Sequence, residues 1–122
     1  MNSALNQRQA VFEEGIRLFN TERYWHAHEA WEVCWRAAGE PEATLYKGLI
    51  QAAAALVHWQ RGNLRGLRQN WAKARPRLLA TSDIVAGLDV PALISGMDAL
   101  VNARGEGAPP ILKPAPNLSP LS

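Results

Sequence analysis

His28 and Glu32 stand four residues apart in a stretch that is otherwise mostly aromatic and aliphatic, Tyr24-Trp25-His26-Ala27-His28-Glu29-Ala30-Trp31-Glu32-Val33-Cys34-Trp35. In a helix this spacing puts an imidazole and a carboxylate on one face, the face shared with Trp31 and Trp35, where polar groups need partners. Gln51 and His58 are seven residues apart on a second helical face, which also carries Gly48 and Ala55. Two chemistries fit these residue types. In one, His28, Glu32 and Gln51 satisfy one another inside a bundle and fix its register. In the other, Glu13, His28 and Glu32 are ligands to a divalent metal, since facing helices build metal centres from carboxylates and imidazoles, and His58 handles protons in a hydrolase-like reaction. Register arithmetic favours the grouping. A hairpin turning near residue 40 sets His28 beside Gln51 and Glu32 opposite Gly48, while one turning near residue 20 sets Glu13 opposite His28. His58 falls about six residues further along, roughly 9 Å at 1.5 Å per residue.

Other catalytic patterns are missing. His28-Glu29 lacks the second histidine that a zinc-protease helix needs, because position 32 is glutamate. The serines lie away from the cluster, and neither a nucleophile elbow nor a glycine-rich phosphate loop is present. The single Cys34 sits between Val33 and Trp35, the setting of a buried, inert thiol. No catalytic residue is assigned and no cofactor is expected. The leaning is towards a noncatalytic domain that binds a protein or small-molecule partner.

Charge adds a second candidate site. Residues 60–77 carry six basic and no acidic side chains, although the whole chain has a net charge of only +2. Arg65, Arg68 and Arg75 share one helical face, with Lys73 and Arg77 at its flank. They form an anion-facing stripe, so a nucleic-acid partner is a further alternative. A solvated outer face is the simpler reading, because no exposed aromatic platform accompanies the arginines.

The elements that position these residues are helical. Alanine and leucine fill 35 of the 122 positions, against 14 for valine, isoleucine and threonine. Helices are expected over 5–20, 22–38, 42–60 and 64–79. Ser3 and Thr21 serve as N-caps of the first two, and Gly39 and Gly62 stop the second and third. The third helix is apolar almost all round and should be the central one. Trp31, Trp35, Trp59 and Trp71 are the expected aromatic core. Pro76 should kink or shorten the fourth helix. Asp89-Val90-Pro91 opens a short fifth helix. The expectation is an all-α fold, a compact antiparallel array of four main helices plus a short fifth. A single domain spans 1–104, and a flexible, proline-rich tail spans 105–122.

The longest apolar run, Ala52-Ala53-Ala54-Ala55-Leu56-Val57, is far below the roughly 18–20 residues that a bilayer span requires. The start of the chain lacks the basic and apolar segments of a secretory signal. A cytoplasmic protein without a membrane partner is therefore expected, its oligomeric state open.

Phe19-Asn20, Tyr24, Ala27-His28-Glu29, Glu32, Trp35-Arg36, Gly48-Leu49-Ile50-Gln51, His58 and Gly62-Asn63 resemble the bacterial and archaeal family catalogued as domain of unknown function 309. Gly87-Leu88-Asp89-Val90 is similar to its later segment, which extends the resemblance over roughly residues 10–100. It implies a small, mostly soluble, all-helical domain with no established biochemical activity. The family's motif positions fall on His28, Glu32, Trp35, Gly48, Gln51 and His58. At Trp25-His26 the sequence departs from the expected aromatic-acidic pair.

Overall fold

Helix boundaries follow the punctuation of the sequence closely. The structure, a computed structural model that describes residues 3–83 and 87–115, contains α1 (Ser3–Asn20), α2 (Tyr24–Ala37), α3 (Glu42–Gln60), α4 (Leu64–Ala80) and α5 (Val90–Asn102). The described residues contain no strand, only one isolated bridge between Leu88 and Pro114. Successive helices pack on one another, and α3 lies between α2 and α4. It buries Leu45, Gly48, Leu49, Ile50, Ala52, Ala53, Ala55, Leu56 and Val57, most of its circumference apart from one half-buried edge.

Three helices end in the same way. The N–H groups of Glu22 and Arg23 donate to the carbonyls of Phe19 and Leu18, those of Gly62 and Asn63 to Trp59 and His58, and those of Arg104 and Gly105 to Val101 and Leu100. This crossed pair of bonds satisfies the last carbonyls of a helix and needs a left-handed residue at its centre. Gly62 supplies it at φ 73°, but Glu22 (64°) and Arg104 (56°) adopt the same backbone at a steric cost. The motif corrects the expected role of Thr21. Its hydroxyl donates back to the carbonyls of Arg17 and Leu18, closing α1, and α2 begins at Tyr24 with no side-chain cap. Asn63 and Asp89 do cap α4 and α5, accepting from the N–H groups of Gly66 and Ala92.

Trp31 is the centre of the α1–α2 seam. It is fully buried, its indole N–H donates to the Phe12 carbonyl at 3.2 Å, and its ring fills the space beside Gly15 so tightly that a β-carbon there would collide with it. Trp71 is also buried. Trp35 and Trp59 depart from the expected core. Trp35 is 37% exposed, because its position in α2 is rotated towards the open edge of the bundle, and Trp59 is half-buried with its N–H donating to the Gly105 carbonyl at 2.8 Å. Pro76 does not shorten α4, which continues to Ala80. Both Pro76 and Ala72, whose carbonyl loses the proline's bond, face solvent, where water replaces the missing donor.

Part of the expected tail lies among the described residues. Residues 105–115 pack against the body. Asn20 Oδ1 accepts from the Leu112 N–H at 2.7 Å, and its Nδ2 donates to the Leu112 carbonyl at 2.9 Å. Leu112 is buried, and reciprocal bonds join Asp89 to Lys113 and Ala115 to Gly87. Prolines forbid a helix here, not packing: the Asn20 amide pairs with the extended backbone as a neighbouring strand would. Residues 116–122 of the expected tail lie outside the described residues, as does the side chain of the expected cap Ser3.

Candidate functional site

On α2, His28, Glu32 and Trp35 recur at i, i+4 and i+7 and so form one edge of the helix. On α3, Lys47, Gln51, Ala54 and His58 recur at i, i+4, i+7 and i+11, and all four are only half-buried. The contacts of this α3 stripe show where it lies. Lys47 Nζ sits 4.8 Å from the centre of the Trp35 ring on α2. Gln51 Oε1 accepts from Arg77 Nη1 on α4 at 3.1 Å. His58 Nδ1 pairs with the Asn63 amide at 3.1 Å, and its ring lies so close to Gly66 that a side chain at 66 would strike it. The stripe is therefore the floor of a shallow face whose walls are α2 and α4.

The expected cluster is opened out along this face instead of converging. His28 Nε2 lies 3.8 Å from Glu32 Oε2, beyond hydrogen-bond length, and Glu32 Oε1 lies 3.7 Å from Arg36. His28 Nδ1 is buried and has no partner among the described residues, and the Trp25 indole covers the imidazole in a parallel stack, centroids 5.0 Å apart and planes 8° apart. Gln51 does not close the network with His28, because the guanidinium of Arg77 claims its carbonyl oxygen and a charged donor makes the stronger bond. Glu13 is exposed and accepts from Gln9 at 3.1 Å, one turn back along its own helix. Among the described residues no three histidine, cysteine, aspartate or glutamate side chains gather as a metal would require, so the proposed ligands Glu13, His28 and Glu32 are not assembled. His58 makes its contacts at the α3–α4 turn, with Asn63 and Gly66.

Two buried groups of α2 stay protonated. Burial pushes the Tyr24 phenol far above its ordinary range, and its hydroxyl has no partner among the described residues. Burial likewise raises the Cys34 thiol, which lines a cleft of about 240 Å³ with Arg8, Gln9, Glu42 and Tyr46. A thiol held protonated is a poor nucleophile, in line with the inert role expected for it.

The basic stripe is divided by the fold. Arg65 and Arg68 are exposed. Arg75 instead grips Asp98 of α5 through both carboxylate oxygens, at 2.9–3.1 Å, and Asp98 Oδ1 also accepts from the Trp71 indole at 2.8 Å. The Arg75 guanidinium, followed by the Trp71 N–H, holds the Asp98 carboxyl below the usual carboxylate range. Lys47, Arg77 and Asp98 went unnoticed as partners because each contact joins different helices. Only the excess of cations in 60–77 hinted that some needed carboxylates from elsewhere.

No helix among the described residues is long and apolar enough to cross a membrane. No curated protein matches the chain. A family match covers residues 12–70, from α1 into the first half of α4; Arg75, Arg77, α5 and the Gly87–Val90 segment lie beyond it. The matched stretch contains the whole opened cluster, His28, Glu32, Gln51 and His58 together with Trp25 and Trp35, and over it the chain is similar to the family described as Domain of unknown function (DUF309).

Proposed function

We propose that this protein is a noncatalytic binding module whose α2–α3–α4 face receives a protein segment presenting apolar and acidic side chains. The observation that carries this reading is the exposure of two tryptophans beside fixed polar groups. Trp25 is 53% exposed over His28, and Trp35 is 37% exposed under the Lys47 ammonium. Folding leaves this indole surface in water, and tryptophan with arginine is the composition that dominates protein interfaces energetically. Lys47, Arg77 and Arg36 supply positive charge for an acidic group, and Gln51 fixes the Arg77 guanidinium at the floor of the face. The paired, dispersed arrangement of the polar groups offers no single point where a nucleophile, a base and a stabiliser of negative charge meet. A cytoplasmic setting is part of the same proposal.

The test is a selection of random 12-residue peptides on immobilised protein, with counter-selection against the double variant Trp25→Ala/Trp35→Ala. The expected result is a family of sequences combining an aromatic or aliphatic anchor with aspartate or glutamate, bound by the wild type and lost by the variant. Failure to enrich any sequence over the counter-selection would overturn the proposal.

A further inference from the structure

A second surface lies on the opposite flank of α4, and we propose that Arg61, Arg65, Arg68 and Arg104 together bind the phosphate backbone of duplex nucleic acid without reading its sequence. This is not the stripe that spacing along the chain suggests. Arg75 drops out because Asp98 neutralises it, and Arg104 enters because the end of α5 docks on the α3–α4 turn. The Gly105 carbonyl accepts from Trp59, and a β-carbon on Gly105 would lie 2.9 Å from Leu64, so Arg104 stands at the end of the bundle that carries Arg61 and Arg65. All four arginines are exposed, and among the described residues their side chains make no hydrogen bond or ion pair. Glu22 and Glu106 are the carboxylates at this end, and they leave the balance positive.

The chemistry of the ridge selects its partner. Guanidinium groups bind phosphate oxygens in a bidentate manner, and Arg65 and Arg68, about 4.5 Å apart along a rigid helix at 1.5 Å per residue, present a fixed row to a repeating anion. Among the described residues the large exposed apolar side chains are Trp25, Val33, Trp35, Leu79 and Ile111, and none of them lies within residues 61–68 or beside Arg104 in the chain. The ridge therefore lacks both the stacking platform that single strands need and the apolar anchor that a membrane surface rewards. Arg104 also occupies a left-handed position that favours glycine, so the arginine is kept there against a backbone cost.

Fluorescence anisotropy with a mixed-sequence 20-base-pair DNA duplex, titrated between 25 and 200 mM salt, tests the proposal. Four phosphate contacts predict a slope of log affinity against log salt of about −3 to −4. Arg65→Ala and Arg68→Ala should each weaken binding several-fold at the lowest salt and reduce the slope by about one. Arg104→Gly should weaken binding in the same way while raising the melting temperature, which separates the contact from a loss of folding. Arg36→Ala on α2, and the Trp25→Ala/Trp35→Ala variant, should bind the duplex as the wild type does, so that this surface stands or falls independently of the α2–α3–α4 face. The proposal is overturned by an absence of duplex binding at 25 mM salt, by an equal loss in Arg36→Ala, or by binding to anionic vesicles or polyglutamate in preference to the duplex.

Discussion

Trp31 and Trp35 are one helical turn apart on α2 and share most of their sequence context, yet one is sealed and the other is left open. Trp31 faces α1, where Gly15 removes a side chain to admit its ring and the Phe12 carbonyl satisfies its N–H. Trp35 faces the edge of α3, where the neighbour is Lys47, whose ammonium sits over the ring and stays in contact with water. A rotation of less than half a turn about α2 thus separates a seam built for stability from a face that folding does not consume. The difference teaches that an apolar stripe of constant composition need not be core along both edges; what faces it across the helix pair decides.

This contrast is broken or sharpened by substitution. Trp31→Ala should cost about 3–5 kcal/mol in chemical denaturation, since it empties a fully buried site. Asp98→Asn comes next, at about 1–3 kcal/mol near neutral pH, because it weakens the charged bonds to Arg75 and Trp71 that tie α5 to α4. Its pH dependence has a definite sign. The folded Asp98 pKa is depressed, so its contribution is present above the ordinary carboxylate range and is lost as pH falls through the folded value. The stability gap between wild type and Asp98→Asn should accordingly narrow below about pH 4. Trp35→Ala should cost no more than about 1 kcal/mol, the worth of an exposed cation–π contact with modest burial. Equal losses for Trp31→Ala and Trp35→Ala would erase the distinction between seam and face. The smallest effect is a gain: Glu22→Gly should stabilise by about 0.5–1 kcal/mol, the left-handed cost less the added freedom of the unfolded chain.

What the sequence discloses follows the range of the interactions. The extents of α3 and α4, the caps at Asn63 and Asp89 and the burial of Trp31 and Trp71 are local or periodic, and they are legible. The pairing of Gln51 with Arg77, of Arg75 with Asp98 and of Asn20 with Leu112 joins residues 26, 23 and 92 positions apart, and nothing local announces it. The polar cluster was legible as a set of residues but not as an arrangement. Periodicity put His28, Glu32 and Gln51 near the α2–α3 contact without saying that Arg77 would reach in from α4 and draw Gln51 away. The same limit applies to the prolines after Gly105, which exclude a helix and are silent about the Asn20 amide that holds the segment down.

The most direct test of the open face is to measure, for the double variant Trp25→Ala/Trp35→Ala, both its melting temperature and its affinity for a peptide selected on the wild type. The account predicts that the variant melts within about 10 °C of the wild type, about 2 kcal/mol or less of lost stability, while peptide binding is abolished. Retained binding, or a variant that no longer folds, would contradict it.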